Sequence, residues 1–358
     1  MLIGVPKEIK EDEYRVGLTP KSVASLSSQG HKVFIEYDLG AKIGFSNQQY
    51  IDSGATISDT PEDLYQSSEL IVKVKEPQIS ELPYLNDKHI LFTFLHLAGN
   101  PDLACMLRDT GVTGLAYETL VASDGSLPLL APMSEIAGKI SIVVGNYHLL
   151  KPYNGKGVLL SRINDLDLRT ITVIGAGVAG RNAIDASINL GAKVNVIDLD
   201  EEKLKTLKQK YSMNLEGYLS NDSNITKCIS ESDLIIGSVY LTGKKAPTII
   251  TRSMLEQVKP GTVLVDISID KGGCFETSKP PTHQDPTFLI DDILHYCVSN
   301  MPGAVPLTAS ESLNSASLSY VQKLANNDLN LLLNEQDFKS GLNIMAGEFR
   351  HPSLTDII

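Results

Sequence analysis

The segment TITVIGAGVAGRNAIDASINL, residues 170–190, carries the most informative pattern in the chain. A short apolar run predicts a strand, Gly175, Gly177 and Gly180 follow it at once, and the residues beyond have helical spacing. In this setting the first glycine permits a tight turn, the second lets the backbone approach a pyrophosphate, and the third allows close helix packing. The N–H groups and positive dipole end of the helix favour phosphate. The segment therefore predicts a dinucleotide-binding βαβ unit.

An acidic residue ends the next predicted strand, KVNVID, at Asp198. A carboxylate in this position accepts hydrogen bonds from the adenosine ribose hydroxyls and repels a 2′-phosphate. Lys203 and Lys205 lie close behind it and weaken that repulsion slightly. We therefore expect NAD rather than NADP as the cofactor.

Strand and helix patterns alternate along most of the chain, in two arrays. The first array includes LIGV, KVFIEY, LIVKV, HILFTFL and VTGLAYE, and the second runs from TITVI through KVNVIDLD, EGYLS, DLIIGSVY and TVLVDIS to ILHYCV. Nearly continuous apolar strands separated by helices indicate parallel sheets that are covered on both faces. Residues 132–150 have the spacing of a long connecting helix, and after residue 306 the pattern is helical, with no further strand expected.

These patterns predict the fold class and the domain organisation. A chain of 358 residues is long enough for two or more domains. We expect an α/β protein with two doubly wound domains, in which a Rossmann dinucleotide-binding domain is inserted into a discontinuous substrate domain. The expected divisions are 1–130 for the first part of the substrate domain, 131–306 for the NAD-binding domain, and 307–358 for a helical C-terminal part that returns to the substrate domain.

Charge and composition exclude several classes of function. The chain has 31 Lys and Arg against 43 Asp and Glu, a net charge of -12, so nucleic acid and anionic membrane surfaces are not expected partners. Four scattered cysteines have no metal-ligand spacing and indicate reduced thiols, so no metal site is expected. The acidic N-terminus and the short apolar runs predict a soluble, cytoplasmic protein without a signal segment.

Four polar residues stand at or just beyond predicted strand ends, where open α/β sheets bind ligands. Asp270 follows TVLVDISI and His96 follows ILFTFL, while Arg15 and Lys75 follow strands of the first array. A carboxylate and an imidazole are suited to proton transfer, and the two cations to a substrate carboxylate. Taken singly, Asp270 is as well explained by capping a turn, His96 by a structural hydrogen bond, and the cations by solvation at the surface. Together they predict an interdomain cleft for a small anionic substrate.

Several longer blocks resemble the bacterial alanine dehydrogenase family, and the resemblance spans essentially the whole chain. These blocks are VPKEIKEDEYRVGLTP, KVKEP, FTFLHLA, APMSEIAGK, VIGAGVAG, VDISIDKGGCFETS and NMPGAVP. The resemblance implies an NAD-dependent oxidoreductase that converts L-alanine reversibly to pyruvate and ammonium, and a homohexamer. It implies that Arg15 and Lys75 contact the substrate carboxylate and carbonyl, that His96 is the general acid or base, and that Asp270 orients or activates water.

The same resemblance implies a set of cofactor contacts around the glycine loop. The expected residues are Ser134, Gly175, Gly177, Val178, Ala179, Gly180, Asp198, Lys203, Ser220, Val239, Tyr240, Ile267, Ser268, Ile269, Asp270, Lys279, Val298, Ser299, Asn300 and Met301. The chain departs from the family pattern at residues 161–165, where a Gly/Pro-rich turn is usual, and at Tyr240, Thr242, Lys271 and Leu307.

Two other interpretations compete with this one. The opening VPKE block is shared with saccharopine dehydrogenases and with the α subunit of proton-translocating transhydrogenase, which needs a membrane partner and has no substrate proton step. The second alternative is a catalytically silent NAD-binding homologue, in which the departures mark a relaxed site. The presence of Arg15, Lys75, His96 and Asp270 together favours the enzyme.

Overall fold

The computed structural model describes residues 1–211, 214–240 and 245–357. Their contacts divide the chain into two compact units. The first unit comprises Met1–Met133 and Val305–Ile358, and the second comprises Ser134–Ala304. The assignment of a substrate domain and a cofactor domain, with boundaries at 130 and 306, concerns function and stays a prediction.

Strands and helices alternate along both units. In chain order, the strands are β1 (Leu2–Val5), β2 (Lys32–Glu36), β3 (Ala55–Ser58), β4 (Leu70–Val72), β5 (Ile90–Thr93), β6 (Thr113–Ala116), β7 (Thr170–Ile174), β8 (Lys193–Asp198), β9 (Leu215–Leu219), β10 (Leu234–Gly237), β11 (Val263–Asp266), β12 (Thr287–Ile290), β13 (Ile293–Tyr296), β14 (Leu342–Met345) and β15 (Glu348–Phe349). The helices are α1 (Pro20–Ser28), α2 (Asn47–Asp52), α3 (Pro61–Gln66), α4 (Pro101–Asp109), α5 (Ala131–His148), α6 (Val178–Asn189), α7 (Glu201–Tyr211), α8 (Asp222–Glu231), α9 (Arg252–Leu255), α10 (Pro306–Asn326), α11 (Leu329–Leu332) and α12 (Gln336–Gly341).

The first unit is built on an eight-stranded sheet in the order β15-β14-β6-β5-β4-β1-β2-β3. Strands β1 to β6 are parallel, and the winding direction reverses between β1 and β4, where Gly4 pairs with Phe34 on one side and Ile71 on the other. Buried apolar side chains such as Ile71, Leu91 and Leu107 form the core. The doubly wound arrangement predicted for the first array is therefore present.

The C-terminal segment corrects one expectation, because strands do follow residue 306. Strand β14 pairs antiparallel with β6, and β15 pairs antiparallel with β14. Ala346 and Gly347, between the two strands, both have positive φ, as tight hairpin turns require. The strands of four and two residues are too short to give a recognisable alternation, so the sequence pattern did not reveal them.

The second unit contains a seven-stranded sheet in the order β12-β13-β11-β10-β7-β8-β9. All strands are parallel except β12, which pairs antiparallel with β13 at one edge. The winding direction reverses between β7 and β10, and the glycine loop follows β7 directly. This is the Rossmann arrangement that the sequence predicted, and its crevice lies at the carboxyl ends of these strands.

The long C-terminal helix α10 packs onto the loop that leads from β1 to α1. Asn314 of α10 accepts hydrogen bonds from the backbone N–H of Thr19 at 2.8 Å and from the Ser22 hydroxyl at 2.7 Å. Ser310 accepts one from the backbone N–H of Val16 at 3.0 Å. The returning segment thereby fixes the loop that carries Arg15.

Among the described residues, no helix combines the length and apolarity needed to cross a lipid bilayer.

We predict that Gly138→Ala destabilises the second unit. A Cβ atom at Gly138, in α5, would lie 2.2 Å from the carbonyl oxygen of Ala179, which is backbone and cannot rotate away. Overpacking of this kind costs about 1–3 kcal/mol, so the free energy of unfolding in urea should fall by that amount. Gly99→Ala, whose Cβ would meet nothing within 4 Å, is the matched control and should leave stability unchanged. Equal stability of the two variants would contradict this close packing of α5 against Ala179.

Candidate functional site

Three of the predicted site residues lie at one edge of the sheet of the first unit. Because β1, β4 and β5 are parallel, their carboxyl ends lie at the same edge, and the loops that follow them carry Arg15, Lys75 and His96 respectively. The carbonyl of Lys75 accepts a hydrogen bond from the Thr93 hydroxyl at 2.9 Å, which joins two of these loops. The winding reverses between β1 and β4, so the loops that carry Arg15 and Lys75 flank the position where doubly wound sheets bind ligands, and the loop that carries His96 follows the next strand, β5.

Arg15 is buried rather than solvated, which corrects the interpretation of this residue as a surface charge. Only 3% of the residue is exposed. Its Nε and Nη2 groups donate to Glu13 Oε1 and Oε2 at 2.7 and 2.5 Å, and Nη1 approaches the Met133 sulfur at 3.1 Å. The bidentate carboxylate fixes the plane of the guanidinium, so the charge of Arg15 is held in one place.

His96 has an unusual backbone conformation that a neighbouring carboxylate supports. Its φ of 50° lies in the left-handed region, which is uncommon for residues other than glycine. Glu118 Oε1 accepts the backbone N–H of His96 at 2.6 Å, and Oε2 accepts that of Leu95 at 3.2 Å. The imidazole stacks on Phe94, with ring centroids 5.6 Å apart, and Nδ1 lies 3.8 Å from Glu118 Oε1. The turn thus presents a half-exposed imidazole beyond the strand end.

Sequence reasoning missed the carboxylates that hold these groups. Glu13 and Glu118 are 3% and 7% exposed. Both lie inside stretches that the sequence analysis quotes, Glu13 in EDEYR and Glu118 at the end of VTGLAYE, and this position was the available signal. It was weak because the chain has 43 acidic residues and nothing in the sequence tells a buried one from a solvated one.

The glycine loop of the second unit has the geometry that a pyrophosphate requires. Gly175 has a φ of 94°, and a Cβ at Gly180 would lie 1.8 Å from the Gly175 carbonyl oxygen. A Cβ at Gly177 would meet nothing within 4 Å, so the space beside this backbone is open. Helix α6 begins at Val178, directly beyond Gly177. The turn at Gly175, the open space beside Gly177 and the close packing at Gly180 therefore fit a dinucleotide loop, and the roles of the three glycines in binding stay a prediction.

Asp198 organises the turns around this loop. Its Oδ2 accepts the backbone N–H of Ala176 at 2.6 Å, and Oδ1 accepts that of Asp200 at 2.9 Å. A carboxylate has about four acceptor positions, so these two bonds are compatible with hydrogen bonds from ribose hydroxyls. On the other side, the Ser238 hydroxyl donates to the carbonyl of Gly175 at 2.8 Å and ties the end of β10 to the loop.

Most of the other predicted cofactor residues follow parallel strands of the same sheet, so their backbones meet at one edge. Ser220 follows β9, Val239 and Tyr240 follow β10, Ile267 to Asp270 follow β11, and Val298 to Met301 follow β13. Three lie elsewhere in the unit. Ser134 is on α5, Lys203 is on α7 with its ammonium 3.5 Å from Asp200, and the Lys279 ammonium lies over the Phe288 ring at 4.5 Å.

Asp270 belongs to the second unit, unlike the other three candidate catalytic or substrate-binding residues. It lies on a 3₁₀ helix, residues 267–271, and its Oδ2 accepts the backbone N–H of Asn300 at 3.3 Å. The turn is fixed by the buried Asp266, which accepts the backbone N–H groups of Ser268 and Cys274, both at 2.9 Å. Burial raises the pKa of the Asp266 carboxyl, and these hydrogen bonds oppose the shift. Sequence reasoning did not single out Asp266.

The departures from the family pattern lie mainly at the surface. Tyr240 and Leu307 are 40% and 42% exposed. Within residues 161–165, the backbone N–H of Arg162 donates to the Leu190 carbonyl at 2.9 Å, and Asn164 has a φ of 44°. Lys271 ends the 3₁₀ helix that carries Asp270. Thr242 lies outside the described residues.

A dinucleotide loop on one doubly wound sheet, with cations and an imidazole at the switch point of another, defines a dinucleotide-dependent oxidoreductase of the two-unit α/β class. The comparisons with known proteins agree. Residues 4–137 match the model of the alanine dehydrogenase/PNT N-terminal domain, and residues 141–352 match that of the C-terminal domain. The chain belongs to the alanine dehydrogenase/PNT family.

Individual relatives cover nearly the full length. The chain is 43% identical to an alanine dehydrogenase of Halomonas elongata, over 99% of this chain and 96% of that protein. It is 42% identical to one from Bacillus subtilis, over 99% and 94%. A solved L-alanine dehydrogenase superposes with a TM-score of 0.95 at 41% identity, covering 100% of this chain and 99% of that one. A transhydrogenase of Sinorhizobium meliloti, at 21% identity and a TM-score of 0.84, shares the fold.

We predict that one of the four thiols reacts rapidly in the native protein. Burial raises the pKa of Cys228 to about 11 and that of Cys297 to about 12, and burial beside Asp266 raises the pKa of Cys274 well above its ordinary range. Cys105 is partly exposed. Titration with a disulfide reagent near pH 8, about the ordinary pKa of a thiol, should give one fast thiol in buffer and four in urea. Cys105→Ser should abolish the fast phase. A fast thiol that remains in the Cys105→Ser variant would show that at least one of the buried cysteines is accessible.

Proposed function

We propose that the chain catalyses the reversible oxidative deamination of L-alanine, in which L-alanine, NAD⁺ and water give pyruvate, ammonium, NADH and a proton. The observation that carries this proposal is the grouping of Arg15, Lys75 and His96 at the switch point of the first sheet, in a chain of the alanine dehydrogenase/PNT family. Two cations and an imidazole are the groups that an anionic substrate with a proton to transfer requires.

NAD supplies the acceptor for the hydride that leaves the alanine Cα. Gly175, Gly177 and Gly180 would hold its pyrophosphate at the start of α6, and Asp198 would accept the ribose hydroxyls. The remaining predicted contacts, at the ends of β9, β10, β11 and β13 and at Ser134, Lys203 and Lys279, would complete the site. Gly177 supports this assignment most directly, because the open space beside it is where a phosphate can approach the backbone.

Arg15 and Lys75 bind the substrate. Glu13 holds the Arg15 guanidinium in one plane, so the charge is in place before the substrate carboxylate arrives and little entropy is lost on binding. Lys75 lies beyond the neighbouring strand end and contacts the oxygen that becomes the pyruvate carbonyl, where its ammonium stabilises the negative charge that develops on this oxygen as it loses its protons. The carboxylate and the reacting carbon are thereby held by two different loops.

His96 and Asp270 act on water and protons. Oxidation of alanine gives an imine, and the attacking water must lose a proton as its oxygen bonds to the former Cα. A neutral His96 imidazole accepts that proton as the C=N π bond opens, which gives a carbinolamine. The protonated ring returns the proton to the amine, the C–N bond breaks, and the hydroxyl proton is lost as the carbonyl forms and is taken up by the departing ammonia to give ammonium. Asp270 orients or activates the same water. Its carboxylate is held by the N–H of Asn300.

We also propose that the chain assembles as a homohexamer and that it works in the cytoplasm, with L-alanine, pyruvate and ammonium as its small-molecule substrates. The family resemblance supports the assembly. Four free cysteines support a reducing compartment. Light scattering during size-exclusion chromatography tests the assembly, and a mass other than six times that of the chain would refute it.

The direct test of the reaction is absorbance at the NADH band with purified protein, NAD and L-alanine at alkaline pH, beside D-alanine, glycine, serine, glutamate and lysine. We expect turnover selective for L-alanine. Binding of NAD with no NADH formed from any amino acid would instead indicate a silent homologue. Turnover only between two nicotinamide nucleotides would indicate transhydrogenase chemistry.

We predict that His96→Ala lowers kcat by about 10²–10⁴-fold, the usual contribution of a general acid or base, with the Kd for NAD changed less than about twofold. Stopped-flow NADH formation and calorimetry measure the two quantities. His351→Ala, in the C-terminal segment, is the control and should retain kcat. Parallel losses of NAD affinity and kcat in the His96 variant would assign this residue to cofactor binding or folding instead.

We predict that Asp198→Gly narrows the preference for NAD over NADP by roughly tenfold or more, because it removes a charged acceptor and the repulsion of a 2′-phosphate. The variant also leaves the N–H of Ala176 without the Asp198 carboxylate, but that change affects both cofactors. The ratio of kcat/KM with NAD to kcat/KM with NADP therefore measures the cofactor preference alone. Asp200→Asn, two residues along and exposed, should change the ratio less than about twofold. An unchanged ratio in the Asp198 variant would place the discrimination elsewhere.

A further inference from the structure

Beneath the candidate substrate site, a lysine is completely buried and paired with two carboxylates. Lys73, with an exposure of 0%, places its ammonium 2.7 Å from Glu81 Oε1 and 3.3 Å from Glu8 Oε2. The Tyr65 hydroxyl donates to the same oxygen of Glu81 at 2.9 Å. Removing these charges from water is costly, and apolar side chains of similar volume often give equal stability. The proposed deamination reaction uses none of these residues.

The second oxygen of Glu8 connects this buried network to the substrate site. Glu8 Oε1 accepts the backbone N–H of Val74 at 2.7 Å and that of Lys75 at 3.2 Å. Glu81 makes a similar contact further along, where Oε2 accepts the backbone N–H of Gln78 at 2.7 Å. The network therefore fixes the loop that follows β4 at two places, one of them at Lys75 itself.

The ends of the strands explain why a side chain is needed here. Strand β1 pairs with β4 in parallel, but β1 ends at Val5 and β4 at Val72. The N–H groups of Val74 and Lys75 therefore lie beyond the part of the sheet in which β1 supplies acceptors. The Glu8 carboxylate, three residues past the end of β1, supplies the hydrogen-bond acceptor that β1 no longer provides. On the other side Val74 is still held, because its carbonyl accepts the N–H of Phe94 at 3.2 Å.

We propose that Glu8, paired with a lysine (Lys73) that Glu81 also binds, is a positioning residue that sets where Lys75 meets the substrate. The inference rests on the proposed role of Lys75 in substrate binding. Burial raises the pKa of Glu8, and the Lys73 ammonium opposes that shift and holds the carboxyl group beside the loop, while Glu81 and Tyr65 keep Lys73 in place. The buried charges thus serve the geometry of the site, because a carboxylate with two acceptor edges can bind an ammonium and two backbone N–H groups at once.

Glu8→Gln tests this role with little change in size. An amide has one acceptor oxygen, so it can satisfy either the two N–H groups or Lys73, and its NH₂ group faces a donor on the other side. We expect the Kd of pyruvate for the enzyme–NAD complex, measured by titration calorimetry, to rise roughly tenfold or more, since small misplacements of binding groups have large effects. The Kd for NAD should stay within about twofold of the wild type.

The matched control is Glu36→Gln. Glu36 is also a buried carboxylate at a strand end of the first unit, where it accepts the backbone N–H of Lys7 at 2.8 Å. Its ion pair is with the side chain of the same Lys7, on a different loop from Lys75. We expect this variant to lose some thermal stability and to bind pyruvate as the wild type does. A comparable loss of pyruvate affinity in both variants would show that any buried carboxylate of this sheet matters equally, and would overturn the proposal.

A double-mutant cycle with Lys75→Ala separates positioning from a general structural role. If Glu8 acts through Lys75, then Glu8→Gln should change the Kd of pyruvate less than about twofold when Lys75 is already absent. The same roughly tenfold loss in both backgrounds would refute the proposal. Calorimetry needs no turnover, so the cycle can be read even where Lys75→Ala is inactive. Where Glu8→Gln does not fold, Glu8→Asp enters the same cycle with the same expectations, because it keeps a carboxylate for Lys73 but shortens the side chain and so withdraws the acceptor from the N–H groups of residues 74 and 75.

Measurements on the wild type distinguish failure of the proposed function from failure of the proposed role of Glu8. A wild-type enzyme that neither binds pyruvate nor turns over L-alanine would refute the proposed function itself. A wild-type enzyme that does both, combined with an additive cycle, would refute only the role of Glu8.

Discussion

The pairing of buried charge at the switch point of the first sheet is the constraint on which the candidate site depends. Arg15 can stay 3% exposed only because Glu13 binds two of its N–H groups, and Lys73 can stay fully buried only between Glu8 and Glu81. A buried charge without a partner would cost several kcal/mol. Each pair also ties a loop to the sheet, so the same interactions that make burial tolerable hold the groups that we assign to the substrate.

The second unit presents backbone N–H groups to its ligand, whereas the first unit presents charged side chains. Its binding edge consists of strand ends joined by short hydrogen bonds, from the Ala176 N–H to Asp198 and from the Ser268 hydroxyl to the Val239 carbonyl. Glycine at position 180 lets α6 lie against the preceding turn, because any Cβ there would overlap the Gly175 carbonyl. By our proposal a pyrophosphate would be bound by N–H groups, which need no countercharge of their own and lose little on binding. The first unit supplies fixed cations and an imidazole, and the second unit supplies fixed backbone N–H donors.

Much of this organisation could be predicted from the sequence, for identifiable physical reasons. The central strands are β-branched and buried on both faces, and Thr19 and Asn100 cap helices where Ser/Thr/Asn–Pro patterns predict them, so these elements were recognised. The exceptions lie at or next to sheet edges: β3 and β12 are edge strands that are only partly buried, and β14 and β15 are short. Among the site residues, Asp198 and the glycine loop follow from local pattern. Glu8, Glu118 and Asp266 do not, because their function depends on burial against backbone N–H groups that are brought near them only by the fold.

A crystal structure with NAD and pyruvate bound tests the account most directly. It predicts the pyruvate carboxylate on the Arg15 guanidinium, the carbonyl oxygen on the Lys75 ammonium with His96 in hydrogen-bond reach, and the adenosine ribose on Asp198. It also predicts that Glu8 keeps both backbone N–H groups of residues 74 and 75. Pyruvate held by other residues, with Arg15 making no contact with the ligand and Lys75 turned away from it, would contradict the assignment of the first unit as the substrate site.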